Sequence, residues 1–301
     1  MDLDGDGHLD ILSGSYSRME SKMAGLFQVL YGNGDGTFRK AEVLKGTDGQ
    51  PLIIPTKGED ELTECICTRP FAVDWDGDNI LDLVVGNFSG TFYWFKSEGK
   101  GRFAPKPEKI MAGDAPLKVA GHHSDPFIVD WDGDGDLDIV SGSAAGGVFW
   151  AENVAGKGKL PEFKAFKELI KPAPHREDPA ILREKDLTGP AQMTRVWVED
   201  VNGDGKLDIL VGDMVTLISP AEGLSEDEMK SKLKEWTREF ETAMKALSEA
   251  QQKVGDKKDA TKPEDEKALE KAQAAYGKIY EQRSKFMKEE MTGFVWLYLH
   301  K

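Results

Sequence analysis

Four stretches of the chain repeat one arrangement of acids and glycines: Asp2-Leu-Asp-Gly-Asp-Gly-His-Leu-Asp10, Asp74-Trp-Asp-Gly-Asp-Asn-Ile-Leu-Asp82, Asp130-Trp-Asp-Gly-Asp-Gly-Asp-Leu-Asp138 and Asp200-Val-Asn-Gly-Asp-Gly-Lys-Leu-Asp208. Side-chain oxygens fall at positions 1, 3, 5 and 9 of each. They belong to Asp2, Asp4, Asp6 and Asp10; to Asp74, Asp76, Asp78 and Asp82; to Asp130, Asp132, Asp134 and Asp138; and to Asp200, Asn202, Asp204 and Asp208. Hard oxygen donors at this spacing suit Ca²⁺, which takes about six to eight of them. A backbone carbonyl at position 7 adds another, from His8, Ile80, Asp136 and Lys206. About four bound Ca²⁺ are therefore expected.

Wrapping nine residues around one ion demands tight turns. Position 4 is Gly5, Gly77, Gly133 or Gly203, and position 6 is Gly7, Asn79, Gly135 or Gly205. These residue types most readily accept a left-handed backbone. Position 8 is always leucine (Leu9, Leu81, Leu137, Leu207), expected to plug the loop into a core. An EF-hand loop opens in the same way but needs a bidentate acid at position 12 between two helices. Position 12 here is Ser13, Val85, Ser141 or Val211, which excludes that motif.

The elements that must hold these loops read as strands. Each loop runs into a short apolar stretch ending in glycine: Ile11-Leu-Ser-Gly14, Leu83-Val-Val-Gly86, Ile139-Val-Ser-Gly142 and Ile209-Leu-Val-Gly212. Apolar runs precede three loops (Phe71-Ala-Val73, Phe127-Ile-Val129, Val196-Trp-Val198), and aromatic-rich runs follow all four, among them Thr91-Phe-Tyr-Trp-Phe95 and Phe294-Val-Trp-Leu-Tyr298. Fourth segments follow near Phe38–Leu44, Phe103–Ile110 and Phe163–Ile170. β-branched and aromatic enrichment between glycine turns predicts strands. The loops start 72, 56 and 70 residues apart, a period that suits one four-stranded unit with variable loops.

The D-x-D/N-G-D-x-x-x-D loop, with its short apolar strand and glycine, resembles the FG-GAP/VCBS repeat proteins and is similar to the N-terminal propeller of integrin α chains. The resemblance covers about residues 1–216 and 293–301. It implies calcium loops between adjacent strands of each blade and an adhesive or scaffolding role. It also implies a location outside the cell, at its surface or in the periplasm. The expected fold is mainly β: a partial β-propeller of four blades, with the first blade lacking its first strand, and an inserted antiparallel α-helical coiled-coil hairpin. Residues 1–216 form the blades, 217–292 the hairpin, and 293–301 the return strand of blade four. The opening at Met1, directly against the first loop, reads as a start inside a repeat, with no signal peptide in view.

The hairpin is expected from a change of period. Ser225-Glu-Asp-Glu228 is a capping box. Met229, Leu233, Trp236, Phe240, Ala243, Leu247, Ala250 and Val254 then alternate by 4 and 3 residues. Pro263 opens a second segment with Leu269, Ala272, Tyr276, Ile279, Phe286 and Glu290 on the same spacing, interrupted at Arg283. Two helices of about 28 residues would project roughly 40 Å. Such a seam buries its own stripe first; docking to a partner protein or self-association is the further possibility.

Composition narrows the function. The chain holds 54 acids and 39 bases, a formal charge of −15, which excludes a basic nucleic-acid face. Residues 225–291 hold 16 acids and 15 bases, leaving 38 acids and 24 bases elsewhere. Bound cations would relieve that local excess. No apolar run approaches the roughly 20 residues of a membrane span. Cys65 and Cys67 are separated by one residue, a poor spacing for a mutual disulfide, and read as plain strand residues. His122-His-Ser-Asp125 and His175-Arg-Glu-Asp178 are the candidates for acid–base or transition-metal chemistry; a polar turn accounts for the first, and the second lies in the long connection Lys171–Met193. No nucleophile elbow, phosphate loop or H-E-x-x-H motif is present. The expected function is therefore a calcium-binding, non-enzymatic module for a protein or glycan ligand. The alternative is an enzyme acting on polysaccharide, with its site on the propeller face.

Overall fold

The computed structural model describes residues 1–16, 25–56, 63–174, 181–255 and 262–300. The chain divides into two units, one of Met1–Pro174, Thr188–Val215 and Gly293–Lys301, the other of His175–Leu187 and Thr216–Thr292.

The first unit is a succession of antiparallel sheets. Sheet 1 orders β1 (Ile11–Ser13), β2 (Gln28–Leu30) and β3 (Glu42–Val43). Sheet 2 orders β4 (Arg69–Val73), β5 (Asp82–Gly86), β6 (Phe92–Phe95) and β7 (Glu108–Lys109). A two-stranded ribbon of β8 (Met111–Ala112) and β9 (Ala115–Pro116) follows. Sheet 3 orders β10 (Asp125–Val129), β11 (Asp138–Gly142), β12 (Val148–Ala151) and β13 (Lys167–Ile170). In sheet 4, β15 (Asp208–Pro220) lies between β14 (Gln192–Glu199) and, further along the chain, β17 (Val295–Tyr298). The first Asp loop runs directly into β1, and in sheets 2 to 4 each loop joins the first two strands. The pairs Val73↔Asp82, Val129↔Asp138 and Glu199↔Asp208 close these three loops.

One hydrophobic core fills each gap between successive sheets. Phe27, Val29, Leu83, Val85 and Phe95 pack between sheets 1 and 2, and Val84, Phe92, Trp94, Ile139 and Ala151 between sheets 2 and 3. Val140, Val148, Ile209 and Val211 pack between sheets 3 and 4. Successive side chains of a strand point to opposite faces. Leu83 and Val85 therefore serve one core and Val84 the next, and β5 and β11 are buried at every residue.

The glycine at the end of the strand after each loop has a tertiary cause in sheets 1 to 3. A Cβ on Gly14 would lie 1.8 Å from the carbonyl oxygen of Thr68; on Gly86, 2.4 Å from that of Ser124; on Gly142, 2.2 Å from that of Thr194. The backbones of adjacent sheets approach too closely for any side chain. The same hydroxyl residues accept the next amide: Ser15 N–H on Thr68 Oγ1 at 3.1 Å, Asn87 N–H on Ser124 Oγ at 2.8 Å, and Ser143 N–H on Thr194 Oγ1 at 2.8 Å. Gly212 in sheet 4 meets nothing nearer than Arg195 Cβ at 3.9 Å.

The residues just before these hydroxyls, Cys67, His123 and Met193, all have positive φ (54°, 59° and 51°). Cys65 and Cys67 thus lie in a bend before β4 rather than in a strand, both buried and outside any disulfide. The tight turn into β4, not their apolar character, decides their conformation.

The second unit holds α1 (Glu226–Gly255) and α2 (Pro263–Gln282). The capping box forms as expected: Ser225 N–H donates to Glu228 Oε2 at 2.8 Å, and Glu228 N–H to Ser225 Oγ at 3.3 Å. Trp236 stacks on Phe240 (centroids 4.5 Å apart) and donates its indole N–H to the Ile279 carbonyl at 2.7 Å, while Phe240 meets Tyr276. The second helix is shorter than its apolar spacing predicted. It ends at Gln282, a 3-10 turn covers Arg283–Lys285, and β16 (Met287–Thr292) is a strand. Phe286 and Met287 are drawn into a core with Met229 and Trp236, which stops the helix and leaves Glu290 in the strand. Among the described residues no helix is long and apolar enough to cross a membrane.

Candidate metal centres

Backbone amides shape every Asp loop around its first carboxylate. Position 1 accepts the amide of position 4 on one oxygen and that of position 6 on the other. The distances are 2.8 and 2.9 Å at Asp2, 2.9 and 2.9 Å at Asp74, 2.8 and 3.0 Å at Asp130, and 2.7 and 2.8 Å at Asp200. Positions 4 and 6 have positive φ in all four copies, including Asn79 at 65°. The position-7 amides of His8, Ile80, Asp136 and Lys206 donate to the position-5 carboxylates of Asp6, Asp78, Asp134 and Asp204 at 2.9–3.1 Å. These local bonds curl the chain so that its acids face inward.

The acids converge accordingly. Carboxylate oxygens of Asp2, Asp4 and Asp10 lie within 4.8 Å of one another, as do those of Asp74, Asp76 and Asp78, and those of Asp130, Asp132 and Asp134. In the fourth loop Asn202 replaces one acid and donates its amide to Asp204 at 3.1 Å. Clustered carboxylates repel unless a cation joins them. Three oxygens of the second and third loops, Asp76 Oδ1, Asp82 Oδ2 and Asp136 Oδ1, are buried and accept no hydrogen bond among the described residues. Buried acceptors without donors are costly. A hard divalent cation such as Ca²⁺ satisfies this donor set, so the residues fit the ion that the spacing predicts.

Position 9 has a second task that the spacing does not reveal. Asp82, Asp138 and Asp208 are at most 1% exposed, and Asp10 is 6% exposed. One oxygen of each accepts the backbone amide two residues beyond the third strand or its pairing segment. These bonds are Gly32 to Asp10 at 2.9 Å, Ser97 to Asp82 at 2.6 Å, Asn153 to Asp138 at 2.7 Å and His300 to Asp208 at 2.9 Å. In the first, third and fourth loops the other oxygen accepts the position-2 amide, at 2.8, 3.2 and 3.1 Å. Position 9 therefore ties its loop to the far strand of the same sheet. Burial pushes Asp82 and Asp138 up to about 6, against the backbone amides of Ser97 and Asn153, with neighbouring loop carboxylates adding to the rise.

The leucines of position 8 are not uniform plugs. Leu137 and Leu207 pack beside the cores of sheets 3 and 4, but Leu9 is 72% exposed on sheet 1, where no further sheet covers it among the described residues. Basic groups also enter the loops unequally. Lys96 pairs with Asp76 and, at 3.5 Å, with Asp78, and Arg39 approaches Asp6 at 3.4 Å.

The other chemical candidates take structural places. Ser124 donates to the Thr91 carbonyl at 2.7 Å, and Asp125 lies between Arg69 (3.7 Å) and Arg195 (3.8 Å). His123 is buried against Phe88, with ring centroids 4.4 Å apart, and burial first, then His122 and the two arginines, bring it down to about 4. No third metal-ligating side chain joins His122 and His123 among the described residues. His175-Arg-Glu-Asp178 lies outside the described residues. A cleft of about 290 Å³ beside the second loop is lined by Trp75, Trp94, Glu108, Ile110, Met111 and Glu162 among others.

Sequence reasoning passed over the inter-sheet hydroxyls of Thr68, Ser124 and Thr194. The signal was present as a hydroxyl residue three positions before each first-strand aromatic, in Thr68-Arg-Pro-Phe71, Ser124-Asp-Pro-Phe127 and Thr194-Arg-Val-Trp197.

Residues 74–141 match the family model of the FG-GAP-like repeat. The match spans the second loop, β5 to β7 of sheet 2, β10 and the third loop as far as β11, so this stretch is similar to an FG-GAP repeat. No curated protein matches the chain.

Proposed function

We propose that this protein is a calcium-stabilised, propeller-type interaction module that binds a protein or glycan outside the cell and performs no catalysis. In this reading the four sheets are propeller blades, and α1 with α2 is a coiled-coil hairpin. The Asp loops hold structural Ca²⁺ through positions 1, 3, 5 and 9 and the position-7 carbonyl. An FG-GAP repeat favours an interaction role and a surface or extracellular setting. The observation that carries the reading is the convergence of three carboxylates within 4.8 Å in three separate loops, beside buried carboxylate oxygens that accept no hydrogen bond among the described residues.

Ca²⁺ would neutralise the clustered acids and cross-link residues on either side of each turn. Four ions would add +8 to a chain of formal charge −15. An ion that binds only the folded state stabilises it by mass action. The test is calorimetric titration of calcium into chelator-treated protein, paired with thermal melting. About four sites and a clear rise in Tm are expected. Absence of binding heat together with an unchanged Tm would sink the calcium reading.

A further inference from the structure

The second and third Asp loops form a matched pair. Both have Asp at positions 1, 3, 5 and 9 and Trp at position 2, and both bring their first three carboxylates within 4.8 Å. At position 6 Asn79 and Gly135 share the left-handed backbone (φ 65° and 94°), and two further differences bear on the charge of the loops. The first is position 7, Ile80 in one loop and Asp136 in the other. Asp136 is 5% exposed; its Oδ2 accepts the Gly156 amide at 2.9 Å, and its Oδ1 is buried without a donor among the described residues.

The second difference comes from the third strand of each sheet. The pairs Leu83↔Phe95 and Ile139↔Ala151 align β6 with β12, so the following residues, Lys96 and Glu152, are equivalent. Lys96 turns its ammonium into the second loop, onto Asp76 and Asp78. Glu152 is instead held by Lys164 and Lys167, both at 2.7 Å. Lys157 passes its stem over Gly135, but no ion pair among the described residues reaches Asp130, Asp132 or Asp134.

We propose that Lys96 is a tethered counter-ion of the second loop, holding Asp76 and Asp78 when calcium is scarce and leaving when calcium enters, so that the third loop, with its extra carboxylate and no such competitor, fills first. This rests on the reading of the loops as calcium sites. Calcium entering the second loop must displace the ammonium, and its apparent affinity falls by what those contacts contribute. Two solvent-screened ion pairs correspond to about five- to tenfold in affinity.

The amides of Asn79 and Gly135 report the two loops separately, since each donates to the first carboxylate of its own loop, at 2.9 and 3.0 Å. In a calcium titration of the full chain followed by NMR, the Gly135 transition is expected to finish before that of Asn79. Lys96→Met should move the Asn79 midpoint about five- to tenfold lower in calcium and leave Gly135 in place. Lys96→Gln should act in the same direction while keeping a polar side chain at the surface. Asp136→Asn should move the Gly135 midpoint upward. Equal midpoints in the unaltered chain, or an Asn79 midpoint unmoved by both Lys96 variants, overturn the proposal while leaving the calcium reading intact. No transition at either amide overturns both.

Discussion

Replacing Asp138 by alanine separates what a loop carboxylate does for the fold from what it does for a metal. Two backbone donors lose their acceptor, Asn153 N–H at 2.7 Å and Trp131 N–H at 3.2 Å, at a side chain that is 1% exposed. A buried donor left unpaired costs about 1–3 kcal/mol, so the pair amounts to ~2–6 kcal/mol. Against this, alanine removes a carboxyl that burial raises to about 6, and a rise of about two pH units returns ~3 kcal/mol at neutral pH. The net without metal centres on a loss of about 1 kcal/mol, within bounds of a ~1 kcal/mol gain and a ~3 kcal/mol loss, so exchange at the Asn153 amide decides the test. Asp132 is the control. It is exposed, accepts only the Asp134 amide at 3.3 Å among the described residues, and stands among like charges, so Asp132→Ala should cost nothing in chelator. In calcium both variants should lose stability. The assay is the urea midpoint of each variant in excess chelator and in millimolar calcium, with hydrogen exchange at the Asn153 amide as the local readout. If Asp138→Ala in chelator keeps both the unaltered midpoint and a protected Asn153 amide, the clamp is refuted.

Three further outcomes follow from the packing. Gly142→Ala should destabilise by about 3 kcal/mol or prevent folding, because the new methyl would meet the Thr194 carbonyl at 2.2 Å. Gly212→Ala, whose nearest neighbour is 3.9 Å away, should be neutral or slightly stabilising, and equal losses in thermal melts would contradict the close-approach account. His123, held at about 4 in the fold against an ordinary 6.5, binds its proton more readily when the chain is unfolded. Stability should therefore fall as pH drops from about 6.5 towards 4, and His123→Leu should flatten that slope in pH-dependent unfolding. Trp236→Ala should remove the stacking on Phe240 and the bond to Ile279, costing about 3–5 kcal/mol and much of the helical circular dichroism. Retention of the full helical melt would count against that core.

The Asp loops were readable because their geometry is local. Acids, glycines and the amides that shape them all lie within nine residues, and four copies fix the pattern. Strand positions followed from aromatic and β-branched runs between glycines, and α1 from its capping box. The end of α2 was not readable. Phe286 and Glu290 continue the helical spacing, but burial of Phe286 and Met287 beside Met229 and Trp236 outweighs a periodic stripe.

The sequence by itself determined the repeat, the type of donor atoms and the turns that gather them, since those depend on side-chain chemistry and on φ preferences within one loop. Tertiary structure alone decided what position 9 is for. Its carboxylates at Asp82 and Asp138 take amides 15 residues on, and Asp208 takes one 92 residues on, partners that exist only once the third strand has paired. It also decided why glycine stands at the end of the strand after the loop in sheets 1 to 3, through carbonyls of the next sheet, and which loops share their acids with a lysine. Contacts between elements distant in sequence leave no periodic trace, so the same nine-residue pattern yields loops of unequal character.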